Sequence, residues 1–402
     1  MSKRPDDFFK VKKPWSVIKD DMLGNYLTPY LSKILTNKRP LNYFDCFAGK
    51  GLFDDGSLGS PLIALNAIDQ AISRTKACSP IVRTFFIDSN FALDLKVNLE
   101  GRNYTQIIDG RYEEHIGRLL KNIGNENVFL YIDPCGVKDL NMNWLNSLIQ
   151  SGFNSLEILL NFNSSGFMRL ACSCLGVSYL EGDPDDVFDF ETYLSFNNRK
   201  KSAVLYQIAG GDYWEKIILD FKEKRIDWKE AELSLSRLFC SELRKKYKYV
   251  LDLPIRVKEN QTTKYRMVFA TKNAEGCVLM ARTIFKQKEH LGLLQRAGQL
   301  TFLNETLDFE PVDLEDSRTR LLGYINSLTQ RERLCEVFAN YYTINGLKCN
   351  PTVITEFIRE FEDKGLIQVT RDPNLSKTGK IRKFYTESKF QKIWLFKRMM
   401  YE

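Results

Sequence analysis

The chain has 402 residues, 44% of them hydrophobic and 27% charged, and a formal net charge of +7. These are globular values, which argue against a disordered chain, and the length predicts two or three domains. Two histidines, His115 and His290, leave little room for clustered imidazole chemistry, and nine cysteines without paired metal-ligand spacing predict no metal site and reduced thiols in a cytoplasmic protein.

Residues 1–40 are expected to form an N-terminal helical segment. Its first stretch lacks the apolar run of a signal peptide. Trp15, Ile18, Met22, Tyr26, Leu27, Tyr30 and Ile34 then recur at helical spacing over 15–36. No segment approaches the roughly 20 apolar residues that span a bilayer, so no membrane contact is expected.

Residues 41–300 alternate short apolar runs with amphipathic stretches. Strands are predicted at 42–47, 82–88, 104–110, 128–136 (ending in a turn) and 155–163, with helices at 61–72, 90–100 and 113–123 between them. This alternation predicts a parallel sheet covered on both faces, a Rossmann-like α/β fold. Residues 164–245 read as a largely helical insertion, in which the charged, turn-rich stretch 179–201 would be a lid or a contact surface. Residues 254–273 read as a hairpin about Asn260-Gln261 that adds antiparallel edge strands.

Residues 325–402 change character. A helix at 328–342, a second from Asn350 and Pro351, a strand at Leu366–Thr370 and another at Ile381–Thr386 follow the order of a winged-helix domain.

In a doubly wound sheet, ligands bind beyond the carboxyl ends of the strands. The first predicted strand runs into Asp45-Cys46-Phe47-Ala48-Gly49-Lys50-Gly51, whose glycines permit a tight turn and close approach to a ligand. The second ends in Asp88, placed to accept from both hydroxyls of a ribose or, more simply, to cap the helix that follows. The third ends in Asp109, suited to an adenine amino group or to an ordinary turn. The fourth ends in Asp133-Pro134-Cys135-Gly136. Any one of these is ordinary; four in order are hard to reconcile with chance.

DxFAGxG resembles motif I of nucleic-acid methyltransferases, and Asp133-Pro134 resembles the start of their DPPY-type motif. The layout as a whole, over about residues 12–300, resembles the three-Cys-motif partner protein (TcmP) family. Trp15 and Lys19, Asp45–Gly51, Gly59-Ser60-Pro61-Leu62, Asp88, Asp133–Gly136, Asn161-Phe162 and Tyr265 through Gly276 carry the likeness. It implies a class I methyltransferase fold, S-adenosyl-L-methionine as cofactor and a partner bearing a three-cysteine motif. Asp45, Phe47, Ala48, Gly49 and Gly51 would hold the methionine part, Asp88 the ribose and Asp109 the adenine end. Asp133, Pro134, Cys135 and Lys19 would serve the acceptor. Cys135 departs from the pattern, standing where the family has phenylalanine and where DPPY enzymes have proline. It is a packing residue or, as the Pro-Cys dipeptide of cytosine-5 methyltransferases suggests, a nucleophile.

Between 364 and 398 stand ten lysines and arginines against two acids, Asp372 and Glu387. Lys377, Lys380, Arg382 and Lys383 would cluster on the wing and grip phosphates, with Phe384 and Tyr385 beside them. The sequence therefore predicts methyl transfer to a nucleic acid. The competing expectations are a methyltransferase-like shell that binds nucleic acid or a three-Cys-motif protein without transfer, and a metal-dependent nuclease built on Asp45, Asp88 and Asp133.

Overall fold

The computed structural model describes residues 8–75, 82–134, 136–178, 197–256, 263–295, 313–375, 379–388 and 391–398. The chain divides into two units, the first Met1–Lys272 with Gln287–Leu300, the second Asn273–Lys286 with Thr301–Glu402.

In the first unit, helix α1 (Pro14–Thr36) precedes β1 (Leu41–Asp45), α2 (Ser60–Thr75), β2 (Val82–Asp88), α3 (Ala92–Asn98), β3 (Thr105–Asp109), α4 (Tyr112–Lys121) and β4 (Asn127–Ile132). Then come α5 (Met142–Ser147), β5 (Ser155–Phe162), α6 (Ser164–Cys174), α7 (Asn198–Ala209), α8 (Tyr213–Lys222), α9 (Trp228–Arg244), β6 (Tyr249–Ile255) and β7 (Tyr265–Thr271). The strands form one sheet in the order β3-β2-β1-β4-β5-β7-β6. Strands β1 to β5 are mutually parallel, and β7 runs antiparallel to both neighbours. The order reverses between β1 and β4, which opens a crevice at their carboxyl ends. The mixed α/β fold and the largely parallel sheet agree with the sequence.

Both faces of the sheet are apolar because both are covered. On one face, Tyr26 and Tyr30 of α1 pack their rings against Phe129 of β4, which also stacks on Tyr43 of β1. The other face joins Phe44, Leu130, Ile132, Ile158 and Leu160 to Ile116, Leu145, Leu170, Leu205, Trp214 and Leu235 of the following helices in one buried cluster. The described helices between 164 and 245 are thus not a detached insertion. They are the cover of this face, and Phe162 of β5 stacks on Phe239 of α9 at 4.1 Å between centroids. The stretch 179–196, most of the expected lid, lies outside the described residues, as does Asn260-Gln261.

The expected hairpin is present but differently placed. Strand β6 begins earlier than anticipated, and β7 is an interior strand between β5 and β6, not an edge. An ion network locks β7 to α9: Arg266 donates to both carboxylate oxygens of Glu232 at 2.7 Å and to Asp252 at 2.5 Å. Such a buried charge is tolerated only when its hydrogen bonds are complete.

The second unit holds the first half of α10 (Ala274–Gln295), then α11 (Leu314–Ser327), β8 (Glu332–Arg333), α12 (Leu334–Asn345), α13 (Pro351–Asp363), β9 (Ile367–Asp372) and β10 (Lys392–Lys397), with strand order β8-β10-β9. Here two expectations are corrected. The unit takes in residues well before 325, including α11, whose Leu321 and Ile325 are buried. The final strand is Lys392–Lys397, not Ile381–Thr386. Ile393 and Leu395 alternate inward and are fully buried, whereas Ile381 is 79% exposed and makes only an isolated bridge to Leu375.

Candidate active site

The loop after β1 is held from below and from the side. Asp45 is wholly buried; its carboxylate accepts from the Ser60 hydroxyl at 2.6 Å and the Phe47 amide at 3.3 Å. Burial pushes its carboxyl up to about 7, against the lowering effect of those two donors. Asp45 therefore anchors the turn, tying it to the start of α2. Ala48 donates its amide to the Ile87 carbonyl at 3.0 Å, so the loop rides along β2. Gly49 and Gly51 have φ of 61° and 77°, and a Cβ at Gly49 would come within 2.8 Å of the Phe9 ring. Gly59 closes the turn, donating to the Gly51 carbonyl at 2.8 Å.

Asp88 fulfils its structural alternative. One carboxylate oxygen accepts the Gly49 amide at 2.8 Å, and the other accepts the amides of Asn90 and Phe91 at 2.8 Å each. It is half-buried, and it fixes both the glycine loop and the approach to α3. Asp109 is exposed and stands in register with Asp88 on the edge strand β3. Phe47 packs on Tyr112.

On the acceptor side, Asp133 is the hub. Lys19 of α1 donates to both of its oxygens at 2.8 and 2.7 Å, the Asn161 carboxamide donates at 2.8 Å, and the Tyr131 hydroxyl donates at 3.3 Å. Lys19 thus reaches the site from the N-terminal helix, and its ammonium also lies 5.3 Å from the centre of the Tyr265 ring. Beside it, the Lys264 ammonium sits 3.8 Å over Trp15. Asp20, next along α1, pairs with Lys12 at 2.5 Å, and desolvation lifts its carboxyl to about 6 despite Lys12 and Lys19. The charges of Asp20, Asp45 and Asp133 act on one another, which places the three in one electrostatic neighbourhood. Pro134 is buried, and Cys135 lies outside the described residues.

Asn161 and Tyr131 are participants to which the sequence assigned no role. Asn161 was legible only as part of an Asn-Phe pair. It faces Asp133 because β5 pairs with β4 in register, Leu160 opposite Ile132. Its amide orientation is fixed, since the carboxylate demands the NH₂. The carbonyl oxygen is then left buried with no hydrogen-bond partner, in a residue 1% exposed.

The basic residues of the tail stand in the second unit. Lys377 lies outside the described residues. Lys383 is 3.9 Å from Asp363, and the Arg382 amide donates to the Asn374 carbonyl at 2.8 Å. Tyr385 is engaged internally: its hydroxyl donates to Glu362, and its ring lies near Arg359 and Arg371. Among the described residues no three carboxylate, imidazole or thiol groups converge to hold a metal ion, so the nuclease arrangement is not formed. No helix there is long and apolar enough to cross a membrane.

No protein-family model and no curated protein sequence matches the chain. Solved structures resemble it at low identity. Trm1 from Pyrococcus horikoshii, with S-adenosyl-L-methionine, is 10% identical over 83% of this chain and 90% of that one, with a TM-score of 0.30. The plantazolicin methyltransferase BamL, with SAH, is 14% identical over 64% and 85%, with a TM-score of 0.29. A spermidine synthase with the transition-state analogue AdoDATO is 7% identical over 63% and 60%, with a TM-score of 0.30. Scores this low leave function to the site's own geometry.

Proposed function

We propose that this chain is a class I methyltransferase that moves a methyl group from S-adenosyl-L-methionine to a nucleic acid. The observation that carries the reading is the carboxyl edge of β3, β2, β1 and β4. Asp109, Asp88, the Gly49–Gly51 turn and Asp133 stand side by side across the point where strand order reverses. A nucleoside with a charged amino-acid arm fits that sequence of groups. Asp88, whose two oxygens already hold three amides, would take the ribose with its remaining acceptor capacity, Asp109 the adenine end, and the Phe47–Gly51 turn the methionine part. The cofactor supplies an electrophilic methyl group. The chain's part is to align that methyl with its acceptor and keep water away.

The second unit supports the nucleic-acid half of the reading. Its helix, strand, two helices and two strands, with the last strand central in a three-stranded sheet, fit a winged helix. Lys380, Arg382 and Lys383 follow the turn after β9. A three-Cys-motif protein is the partner that the family resemblance adds, and the cytoplasm is the compartment that its buried free cysteines suit.

Calorimetric titration with S-adenosyl-L-methionine and S-adenosylhomocysteine tests the cofactor half. Micromolar binding of both is expected, and no heat at high micromolar ligand sinks the reading. Transfer of labelled methyl from the cofactor to DNA or RNA tests the rest. One observation favours a non-transferring shell: four hydrogen bonds already occupy the Asp133 carboxylate. Cofactor binding without transfer to either polymer would establish that alternative.

A further inference from the structure

The glycine loop is roofed by a segment that the functional reading does not use. Ahead of α1, Phe9 lies directly over Gly49: a single added carbon there would meet its ring at 2.8 Å. The ring packs on Phe53 and Phe91 at 5.3 and 4.9 Å, so it spans from the loop after β1 to the start of α3. The backbone is pinned as well. The Phe9 carbonyl accepts the Asp54 amide at 2.8 Å, and the Lys12 amide donates to the Asp55 carboxylate at 3.0 Å. The Lys12 ammonium donates to the Leu58 carbonyl at 2.6 Å and pairs with Asp20 of α1 at 2.5 Å. Lys12 thus ties the loop after β1 to the helix whose Lys19 holds Asp133.

Two features make this a closure and not simply a packed terminus. The backbone and lysine ties fall on the loop 49–58 and on the head of α1, the two walls between which the methionine arm would run, and the Phe9 ring reaches on to Phe91 ahead of α3. The ties are also made by a short segment outside the sheet, so they open at lower cost than the strands beneath. A ligand running from the Gly49–Gly51 turn toward Asp133 would pass beside the Phe9 ring, which leaves no room over Gly49 itself.

We infer that Phe8–Lys13 is a strap that closes over the cofactor loop and retains the bound cofactor, with Phe9 as its wall and Lys12 as its latch. The inference rests on the proposed cofactor. Closure of this kind excludes water from the reacting centre and commonly governs how fast ligands leave.

The test is the dissociation rate of S-adenosyl-L-methionine from the full chain, measured by stopped-flow displacement for wild type, Phe9→Ala, Lys12→Ala and, as control, Val11→Ala. Val11 belongs to the same segment but is 57% exposed. Phe9→Ala and Lys12→Ala should each speed release by about tenfold or more, while Val11→Ala leaves it unchanged. The melting temperature of each variant, taken alongside, shows that the fold is retained. If Phe9→Ala leaves a poorly folded protein, Lys12→Ala carries the test alone. Equal release rates in a wild type that binds would overturn the strap and leave the proposed function standing. A wild type that binds no cofactor removes both.

Discussion

Asp88 carries three backbone amides as well as any ribose, and this changes what its removal does. Asp88→Ala should weaken cofactor binding by about 1.5–3 kcal/mol, and should also destabilise the free protein by roughly 1–3 kcal/mol by orphaning partly buried donors. Asp88→Asn separates the effects. Its carbonyl oxygen still serves Asn90 and Phe91, but its NH₂ opposes the Gly49 amide. A smaller stability loss with the full binding loss is expected, read by denaturant titration and calorimetry on the same samples. Asp45 yields a pH prediction. Its carboxyl is raised to about 7, so the folded state holds its proton more tightly than the unfolded chain. Its contribution to stability is therefore present below about pH 4 and is lost as pH rises toward 7 and beyond. Asp45→Asn keeps the acceptor for Phe47 and removes the titration. Between about pH 5 and about pH 8 the denaturant midpoint should fall further for wild type than for the variant, in which the buried Asp20 and Glu157 carboxyls, raised to about 6 and about 7, still titrate. Parallel curves would show that this carboxyl is not what titrates.

At the scale of elements, the link between β7 and α9 is the most brittle. Arg266→Leu leaves Glu232 buried without its guanidinium partner, and Glu232 is already shared with the Ser164 hydroxyl at 2.5 Å at the head of α6. A loss of about 3–5 kcal/mol is expected. The paired change Arg266→Leu with Glu232→Leu should recover much of it, because no lone charge then remains. Chemical denaturation of the single and double variants distinguishes a mispaired charge from a packing defect. The network also seats β5 and the helix after it, so Asn161 and its hold on Asp133 depend on residues far along the chain. That dependence is invisible in the local sequence.

At the scale of the molecule, the second unit draws on residues from both sides of 287–300. A chain cut at 325 severs α11, and one cut at 300 parts Asn273–Lys286, with its buried Cys277, Met280, Ala281 and Ile284, from the rest of its unit. The sequence alone favours an independent tail beginning at 325. The structure instead predicts that truncation at either point gives an aggregating protein, measured by gel filtration after refolding. The grip on nucleic acid is better tested in the full chain. Changing Lys377, Lys380, Arg382 and Lys383 together to alanine should lower the slope of log affinity against log salt by about 0.7–0.9 for each phosphate that is no longer neutralised. Identical slopes for wild type and variant, on DNA and on RNA, would remove this patch from the interface.

By itself the sequence determined the parallel core, because strands buried on both faces are unbroken apolar runs and the intervening helices are amphipathic. It also determined which groups meet at the carboxyl edge. Strand ends in a doubly wound sheet are neighbours by construction, so Asp45, Asp88, Asp109 and Asp133 are legible as a row. Lys19 was legible only through the family resemblance, since nothing local distinguishes it from a solvated lysine. Tertiary structure alone decided what those groups do to one another. Asp45 was an expected ligand group and is a buried anchor. Asp133 is expected to orient the methyl acceptor, and its carboxylate is engaged by Lys19, Asn161 and Tyr131. Phe9 gave no signal at all. The helices after β5 looked like an insertion because their apolar faces have no visible partner until the sheet's second face is in place. The last strand was misplaced because Ile381 and Ile393 are equally apolar in sequence, and only the fit of Ile393 and Leu395 against the helices chooses between them. Pairings over a hundred residues apart, such as Lys19 with Asp133, are set by packing, which no local pattern encodes.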